Sequence, residues 1–374
     1  MTPDPDDQGL VLYSKLAFYP VHWLALEQIV SRYRVRAVVL AAPAPGLPGV
    51  HEAHGAADPE AVAGLPIEVR RMPAGSRRER IVWLARHLRE VRPDAMWVQE
   101  EPIDPFLLEI LALHRFRRRP RIVVSVCENI FPPPASPLER IARRLLWPRL
   151  DGLIAVAGPS IEGIRAAGMP AVPAASLVAG GLEPPTHVEP RRTPFAESDF
   201  VVGFAGRIVE EKGWRILVQA LGALPPEFKL LVAGEGPDLG ELRTALPGRL
   251  HVAGLLPKAE LWGFYAAIDC LAVPSLTRPR WKEQLGGTLL DGLAMGVPVV
   301  ASASGGLPDA MGEAGVLVPE GDADALADAL RRLRDDPGLR VRLAEAGRER
   351  FRREFAIPAY ADKIAASLDL PPRG

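Results

Sequence analysis

The sequence is poor in the residues and runs that mark several common protein classes. Its 374 residues include two cysteines, Cys127 and Cys270, both in apolar strand-like runs, which indicates reduced core thiols rather than a disulfide framework. No apolar run reaches the roughly 18 to 20 residues that a membrane-spanning helix needs. The net charge of −1 gives no basic footprint for nucleic acid. The first residues are acidic and polar, with no signal peptide, so we expect a cytoplasmic protein.

Two sequence motifs are also missing. No Gly-x-Gly-x-x-Gly fingerprint follows the first strand-like run of the second half, so a dinucleotide cofactor is poorly supported. No Asp-x-Asp of the metal-binding kind stands beside the glycine-rich loops of that half, so no metal is expected. What the sequence does contain is a long alternation of apolar runs and helical patterns.

That alternation predicts the fold class and the domain boundaries. Alternating strands and helices are typical of α/β domains, in which helices cover both faces of a parallel sheet and ligands bind at the carboxyl ends of the strands. Residues 184–198 are rich in proline and lack an apolar period, so they are predicted to be a linker. We therefore predict a first domain over residues 1–183, a second over 199–355 and a closing helical segment over 356–374.

The stretch of residues 274–306 carries most of the chemical signal. It reads PSLTRPRWKEQLGGTLLDGLAMGVPVVASASGG, which predicts a polar loop, a helix entered through Gly286 and Gly287, and a strand. A helix start of this kind presents unpaired N–H groups and the positive end of a dipole, which suits phosphate. Two carboxylates flank it, because Glu283 lies in the loop and Asp291 eight residues later in the helix.

The spacing of these carboxylates, followed by DGLAMGVPVVAS, resembles the donor-sugar motif of the retaining glycosyltransferases of family four. That family has a second Glu where this chain has Asp291. The resemblance continues upstream, where Arg207 ends the run Gly-Phe-Ala-Gly-Arg and Lys212 precedes a helix, as in the family's Gly-Arg…Lys-Gly segment. It is specific over about residues 200 to 330 and weak over the first half.

The resemblance implies the GT-B architecture, in which two Rossmann-like, doubly wound domains face a cleft. The acceptor would bind to the first domain and the nucleotide sugar to the second, and residues 356–374 would cross back to the first domain. The implied reaction moves a sugar from a nucleoside-diphosphate sugar, UDP- or GDP-linked, to a hydroxyl group with retained anomeric configuration. It needs no further cofactor.

The resemblance also implies roles for individual residues. Arg207 and Lys212 would hold the diphosphate, and Glu283 would contact hydroxyl groups of the donor sugar. The remaining donor-binding candidates are Gly206, Gly234, Gly236, Leu255, Gln284, Leu285, Gly286, Gly287, Thr288 and Asp291. Fixed cations of this kind stabilise the charge that develops on a leaving group.

The acceptor-side candidates lie where predicted strands of the first half end. They are Lys15, Glu101, Cys127 and Glu128. The family often has a catalytic His followed by an acidic residue at the position that corresponds to Cys127. Here Cys127 is interpreted as a packed core thiol, and Glu128 fits either a site residue or a loop carboxylate.

Two questions stay open at the level of the sequence. Residues Leu138–Leu150 form a basic amphipathic pattern, which predicts either a peripheral contact with the inner membrane face or, as we favour, a helix packed on the sheet by its apolar side. Two functions besides sugar transfer also fit the pattern: a nucleotide-sugar epimerase of the same fold, and a non-catalytic subunit that binds nucleotide sugars or glycans.

Overall fold

The computed structural model describes residues 7–14, 20–41, 67–104, 107–108, 110–111 and 119–373. The chain folds into two compact units. Unit 1 comprises Met1–Gly180 together with Ile357–Gly374, and unit 2 comprises Gly181–Ala356.

Unit 1 is built on one parallel sheet. Its strands are β1 (Gln8–Ser14), β2 (Val35–Ala41), β3 (Ile67–Arg71), β4 (Ala95–Gln99), β5 (Arg121–Val126), β6 (Gly152–Ala155) and β7 (Ala174–Ala175). The described helices among them are α1 (Pro20–Arg32), α2 (Arg77–Val91), α3 (Pro137–Leu146) and α4 (Gly158–Ala166). The strand order is β3-β2-β1-β4-β5-β6-β7, and every pair is parallel. All five residues of β4 are buried, as expected for a strand covered on both faces.

Unit 2 repeats the plan with a six-stranded sheet. Its strands are β8 (Phe200–Ala205), β9 (Phe228–Ala233), β10 (Leu250–Gly254), β11 (Cys270–Val273), β12 (Val299–Ser302) and β13 (Val316–Val318). Its helices are α5 (Trp214–Gly222), α6 (Leu239–Ala245), α7 (Lys258–Ala266), α8 (Gly287–Met295), α9 (Leu307–Met311), α10 (Ala323–Asp335) and α11 (Pro337–Glu354). The order is β10-β9-β8-β11-β12-β13, again all parallel. The predicted α/β fold with two parallel sheets is thereby confirmed.

The last helix, α12 (Ile357–Leu368), belongs to unit 1 although unit 2 precedes it in the chain. Its inward side consists of buried apolar residues, among them Tyr360 and Ile364, which join the core formed by α1 and the central strands. Several polar contacts also hold it in place, of which two reach the backbone. Lys363 Nζ donates to the Leu177 carbonyl oxygen at 2.9 Å, and Arg121 Nε donates to the Ser367 carbonyl oxygen at 2.9 Å.

The favoured interpretation of the basic amphipathic segment holds for Leu146 and Trp147, which pack on the core of unit 1, but it is wrong for the other large apolar residues. Helix α3 ends at Leu146, and three of its large apolar side chains point to solvent: the exposed fraction is 78% for Leu138, 54% for Ile141 and 65% for Leu145. Arg143, which was expected in water, is buried instead. Its guanidinium group can lie inside because Glu139, one turn earlier on the same helix, pairs with it. None of the helices in the described ranges is long and apolar enough to cross a membrane.

Candidate active site

The polar side chains of unit 2 gather where the strand order reverses. β8 begins one half of the sheet and β11 continues it on the other side, so the loops that follow these two neighbours leave the same edge in different directions. In parallel α/β sheets this switch point is where ligands bind. Several contacts join the loops. Among them, the Leu276 N–H donates to the Glu211 carbonyl oxygen at 2.8 Å, and Arg278 pairs with Glu210 at 2.7 Å.

Lys212 and Glu283 form the centre of this edge. Lys212 ends the short 3-10 turn after β8, and Glu283 lies in the loop after β11. The Lys212 Nζ lies 2.7 Å from Glu283 Oε2, which also accepts a hydrogen bond from the Ser275 hydroxyl at 2.7 Å. The carboxylate is buried, whereas Lys212 is partly exposed and lies 4.9 Å from the centroid of the Trp281 ring. The arrangement fixes one cation at the rim of the sheet.

Two glycines permit the backbone to pass close to this pair. Gly213 has φ +71°, and a Cβ atom there would lie 1.8 Å from the Pro274 carbonyl oxygen. Gly305 has φ +55°, and a Cβ atom there would lie 1.8 Å from the Glu283 carbonyl oxygen. The neighbouring Gly306 N–H donates to that same oxygen at 3.0 Å. Because no side chain fits at either position, glycine is needed to bring the loops after β8, β11 and β12 together.

Arg207 lies beside this centre but is not buried in it. Its side chain is exposed and reaches Glu211 at 3.5 Å. Backbone bonds join its loop to the loop after β9, since the Ile208 N–H donates to the Glu235 carbonyl oxygen at 2.8 Å and the Gly206 N–H to the Ala233 carbonyl oxygen at 2.9 Å. Three of the predicted donor-side glycines, Gly206, Gly234 and Gly236, therefore lie in two adjacent loops.

Asp291 is held by two residues that the sequence analysis missed. Lys258, the first residue of α7, forms an ion pair with Asp291 Oδ1, and the Tyr265 hydroxyl donates to Oδ2 at 3.2 Å. Burial raises the pKa of Tyr265, and the Asp291 charge raises it further, so the phenol keeps its proton as a donor. Lys258 also lies 4.3 Å from the centroid of the Trp262 ring. In the sequence, this contact with Asp291 is marked only by the position of Lys258, directly after Leu255-Leu256-Pro257.

The other predicted donor-side residues surround the start of α8. Gly286 has φ +81° and precedes the helix, and Gly287 is its exposed first residue. Thr288 follows inside the first turn, Leu285 is buried, and Gln284 is partly exposed between Glu283 and Leu285. Leu255 is exposed just after β10. The first N–H groups of any α-helix lack intrahelical partners, and the binding of an anion by those of α8 stays a prediction.

The acceptor-side candidates of unit 1 gather at the ends of β4 and β5. Glu101 Oε1 accepts from the N–H groups of Cys127 at 2.8 Å and Glu128 at 3.0 Å, while Oε2 has no hydrogen-bond partner among the described residues. Burial raises the pKa of Glu101 to about 7 despite these two bonds. Gln99, two residues earlier, is buried with both amide atoms unpartnered in the described part of the chain. Lys15 lies outside the described residues.

Cys127 has the surroundings of a packed thiol. It is partly buried, and burial together with the nearby Glu101 raises the pKa of the Cys127 thiol to about 12. A thiol that keeps its proton at neutral pH is a poor nucleophile. Its carbonyl oxygen accepts the Ser160 hydroxyl at 3.4 Å, which ties the end of β5 to α4.

Acidic side chains of unit 2 cap two of its helices. Across the described ranges, no group of three or more His, Cys, Asp or Glu side chains is arranged to hold a metal ion. Asp322 Oδ1 accepts from the Ala325 N–H at 2.8 Å and Asp336 Oδ1 from the Leu339 N–H at 2.8 Å, so these carboxylates cap α10 and α11.

A comparison with protein families found a match, and it includes this site. Residues 199–336 match the family model described as glycosyl transferases group 1, a range that contains Lys212, Glu283 and Asp291. The match lies within unit 2 and takes in all six of its strands.

Curated proteins that are similar to part of this chain are named as glycosyltransferases. The chain is 35% identical to the 2-deoxystreptamine glucosyltransferase of Streptomyces kanamyceticus over 186 residues, which cover 46% of this chain and 47% of the relative. It is 32% identical to a GDP-mannose-dependent monoacylated alpha-(1-6)-phosphatidylinositol monomannoside mannosyltransferase of Corynebacterium glutamicum, over 49% of this chain and 50% of the relative. The chain thus spans about half the length of the curated relatives it matches.

Solved structures resemble the chain over nearly its whole length. The Anabaena protein Alr3699/HepE, solved in complex with UDP and glucose, has a TM-score of 0.68 at 20% identity and covers 97% of this chain and 99% of its own. A glycosyltransferase from Rickettsia africae has a TM-score of 0.72 at 14% identity, covering 97% and 98%. At this identity the likeness establishes the fold, which is that of GT-B glycosyltransferases.

Proposed function

We propose that this protein transfers a sugar from a nucleoside-diphosphate sugar to a hydroxyl group, with retention of the anomeric configuration. The observation that carries the proposal is the Lys212–Glu283 pair, 2.7 Å apart at the switch point of the unit 2 sheet. A cation fixed by a buried carboxylate suits a departing diphosphate, because it stabilises charge without rearranging during the reaction.

The donor would lie along the edge of unit 2. Lys212, the exposed Arg207 and the N–H groups at the start of α8 would neutralise the diphosphate, Glu283 would contact the sugar, and Asp291 would bind ribose hydroxyl groups. We propose a UDP- or GDP-linked donor. One relative is named for GDP-mannose, and the Anabaena protein was solved with UDP and glucose.

The acceptor would bind at the ends of β4 and β5 in unit 1. Glu101 Oε2 and the Gln99 amide are buried polar atoms without partners in the described part of the chain, and hydroxyl groups of an acceptor would satisfy them. Glu128 would take part through its position beside Glu101, to which its N–H donates. Cys127 would serve only to shape this edge.

A donor screen tests the proposal. Thermal unfolding is followed with UDP-, GDP-, ADP- and dTDP-sugars, because a ligand that binds only the folded protein raises its stability by mass action. The best donor is then incubated with polyol acceptors, and the anomeric proton of the product is examined by NMR. Release of a free isomer of the donor without acceptor would indicate an epimerase. Donor binding without turnover of any acceptor would indicate a binding subunit.

Asp291→Asn is expected to weaken the binding of nucleoside diphosphate and to lower the free energy of unfolding by about 1–3 kcal/mol. The first effect follows from the proposed ribose contact. The second follows because Lys258 and Tyr265 lose a charged acceptor. Calorimetric titration and urea unfolding measure the two effects separately. Asp291→Glu should keep both properties, and Asp328→Asn, at an exposed position on α10, is the control. Unchanged nucleotide affinity in Asp291→Asn would exclude the ribose role.

Sugar transfer is expected to proceed at full rate in excess EDTA and to fall as salt rises. The proposed neutralising groups are Arg207, Lys212 and a helix start, and salt screens charges of this kind. The measurement is the initial rate with the best donor, first with chelator and then with added Mg²⁺ or Mn²⁺. Activity lost under chelation and restored by either ion would contradict the expectation and direct attention to Glu128 as a metal ligand.

A further inference from the structure

Helix α3 presents an apolar stripe to solvent. Leu138, Ile141 and Leu145 recur at helical spacing, so they lie on one side, and each is more than half exposed. Large apolar side chains scattered singly over a surface need no explanation, but three on one side of a ten-residue helix form a patch.

Contacts on the inward side of α3 fix its orientation. Its inward side carries Ala142 and Leu146, which pack against the core of unit 1. Arg143 lies on the same side, pairs with Glu139 and donates to the Pro132 carbonyl oxygen at 3.3 Å. The guanidinium group also lies 5.5 Å from the centroid of the Trp147 ring, and the Trp147 indole N–H donates to the Pro102 carbonyl oxygen at 2.9 Å. Because these contacts hold this side inward, rotating the helix to bury Leu138, Ile141 and Leu145 would break them.

The charges beside the stripe are positive. Arg140 and Arg144 are exposed and form a row one position away from Ile141 and Leu145. Glu139, the one acidic residue of α3, is occupied by Arg143 and by the Ala135 N–H, which donates to it at 2.7 Å. The outward side therefore combines apolar and cationic groups.

We propose that α3 docks on an anionic lipid surface, with Leu138, Ile141 and Leu145 in the acyl boundary and Arg140 and Arg144 at the headgroups. Helices that lie in a membrane interface have this combination of an apolar side and flanking arginines. A second copy of the chain fits less well. A two-fold contact through the stripe would bring the arginine rows of both copies together, and a patch of three side chains is smaller than a stable interface requires.

The test is co-sedimentation of the full chain with vesicles, made either of phosphatidylcholine alone or of phosphatidylcholine with phosphatidylglycerol. We expect binding to the anionic vesicles that falls as salt rises. The triple substitution of Leu138, Ile141 and Leu145 by Ser should reduce binding about tenfold or more, and Arg140→Gln with Arg144→Gln should do the same. The matched control is Val82→Ser with Val341→Ser, which removes exposed apolar side chains from α2 and α11.

Three results would overturn the proposal. They are equal binding by the triple variant and the parent, equal binding to neutral and anionic vesicles, and a parent that binds neither but forms a dimer that the triple variant abolishes. The last would assign the stripe to a protein interface. Thermal unfolding of each variant establishes that it is folded, and because the replaced side chains are exposed, the midpoints should match the parent. Donor binding to unit 2 is measured in parallel, so that a loss of vesicle binding can be distinguished from a loss of the proposed sugar-transfer function.

Discussion

Replacing Lys212 by methionine is expected to lower the rate of sugar transfer about 100-fold or more, on the scale of removing one group that stabilises a transition state. Methionine keeps the apolar stem beside Trp281 and removes the ammonium group that lies 2.7 Å from Glu283. The measurement is kcat with saturating donor, together with the affinity for nucleoside diphosphate. Lys229→Met removes another paired lysine of unit 2, on β9, and should leave the rate nearly unchanged.

The same substitution should also lower stability. Glu283 is buried, and without Lys212 its carboxylate loses the cation that compensates its charge, so a loss of about 1–3 kcal/mol is expected in urea unfolding. Lys212→Met combined with Glu283→Gln should restore much of that stability but not the rate, because the uncompensated charge is gone while the cation is still missing. A near-normal rate in folded Lys212→Met would remove Lys212 from the proposed chemistry.

The second large effect concerns pH and Glu101. Burial raises the pKa of Glu101 from its ordinary 4.5 to about 7. Between these values the folded protein holds a proton that the unfolded chain has released, so the free energy of unfolding falls as pH rises through this window. The expected loss is about 3 kcal/mol in total, and it is complete above pH 7. Glu101→Gln keeps an oxygen for the Cys127 and Glu128 N–H groups but cannot ionise, so this loss should be absent.

The measurement is urea unfolding of the parent and Glu101→Gln at pH 4.5, 6 and 8. The variant should gain stability relative to the parent as pH rises. His22 gives the opposite slope, because burial lowers its pKa from 6.5 to about 4, and its contribution to stability is lost as pH falls through that range. A His22→Gln variant therefore separates the two groups. A constant difference between Glu101→Gln and the parent at all three values would mean that Glu101 ionises normally.

The sequence predicted the parts of the fold that local patterns determine. Apolar runs alternating with helices identify two parallel sheets, because a strand covered on both faces must be apolar throughout. A helix entered through Gly286 and Gly287 was predicted, and the structure has one from Gly287 to Met295, with left-handed φ angles at Gly286 and Gly296 on either side. Lys212 and Glu283 were singled out separately, 71 residues apart, and the structure brings them into contact.

Other features depend on contacts that a sequence pattern does not record. Periodicity identified the apolar residues of α3 but not which of them face inward. Ala142 and Leu146 pack on the core beside the buried Arg143, whose charge is compensated by Glu139 within the helix. Lys258 and Asp291 are 33 residues apart, with no motif that connects them. In the sequence, Gln99 has the pattern of an ordinary strand end. Only the structure makes it a candidate for acceptor binding, because its amide is buried without a partner in the described part of the chain.

The placement of α12 has a consequence for protein synthesis. The ribosome synthesises all of unit 2 before the helix that completes unit 1. Until then, the apolar face formed by α1 and the central strands of unit 1 is not covered by α12, although unit 2 can already fold. Removing Ile357–Leu368 would leave that face open permanently, although the truncation lies far along the chain from most of unit 1. A chain whose translation stops before α12 would therefore expose part of the core of unit 1.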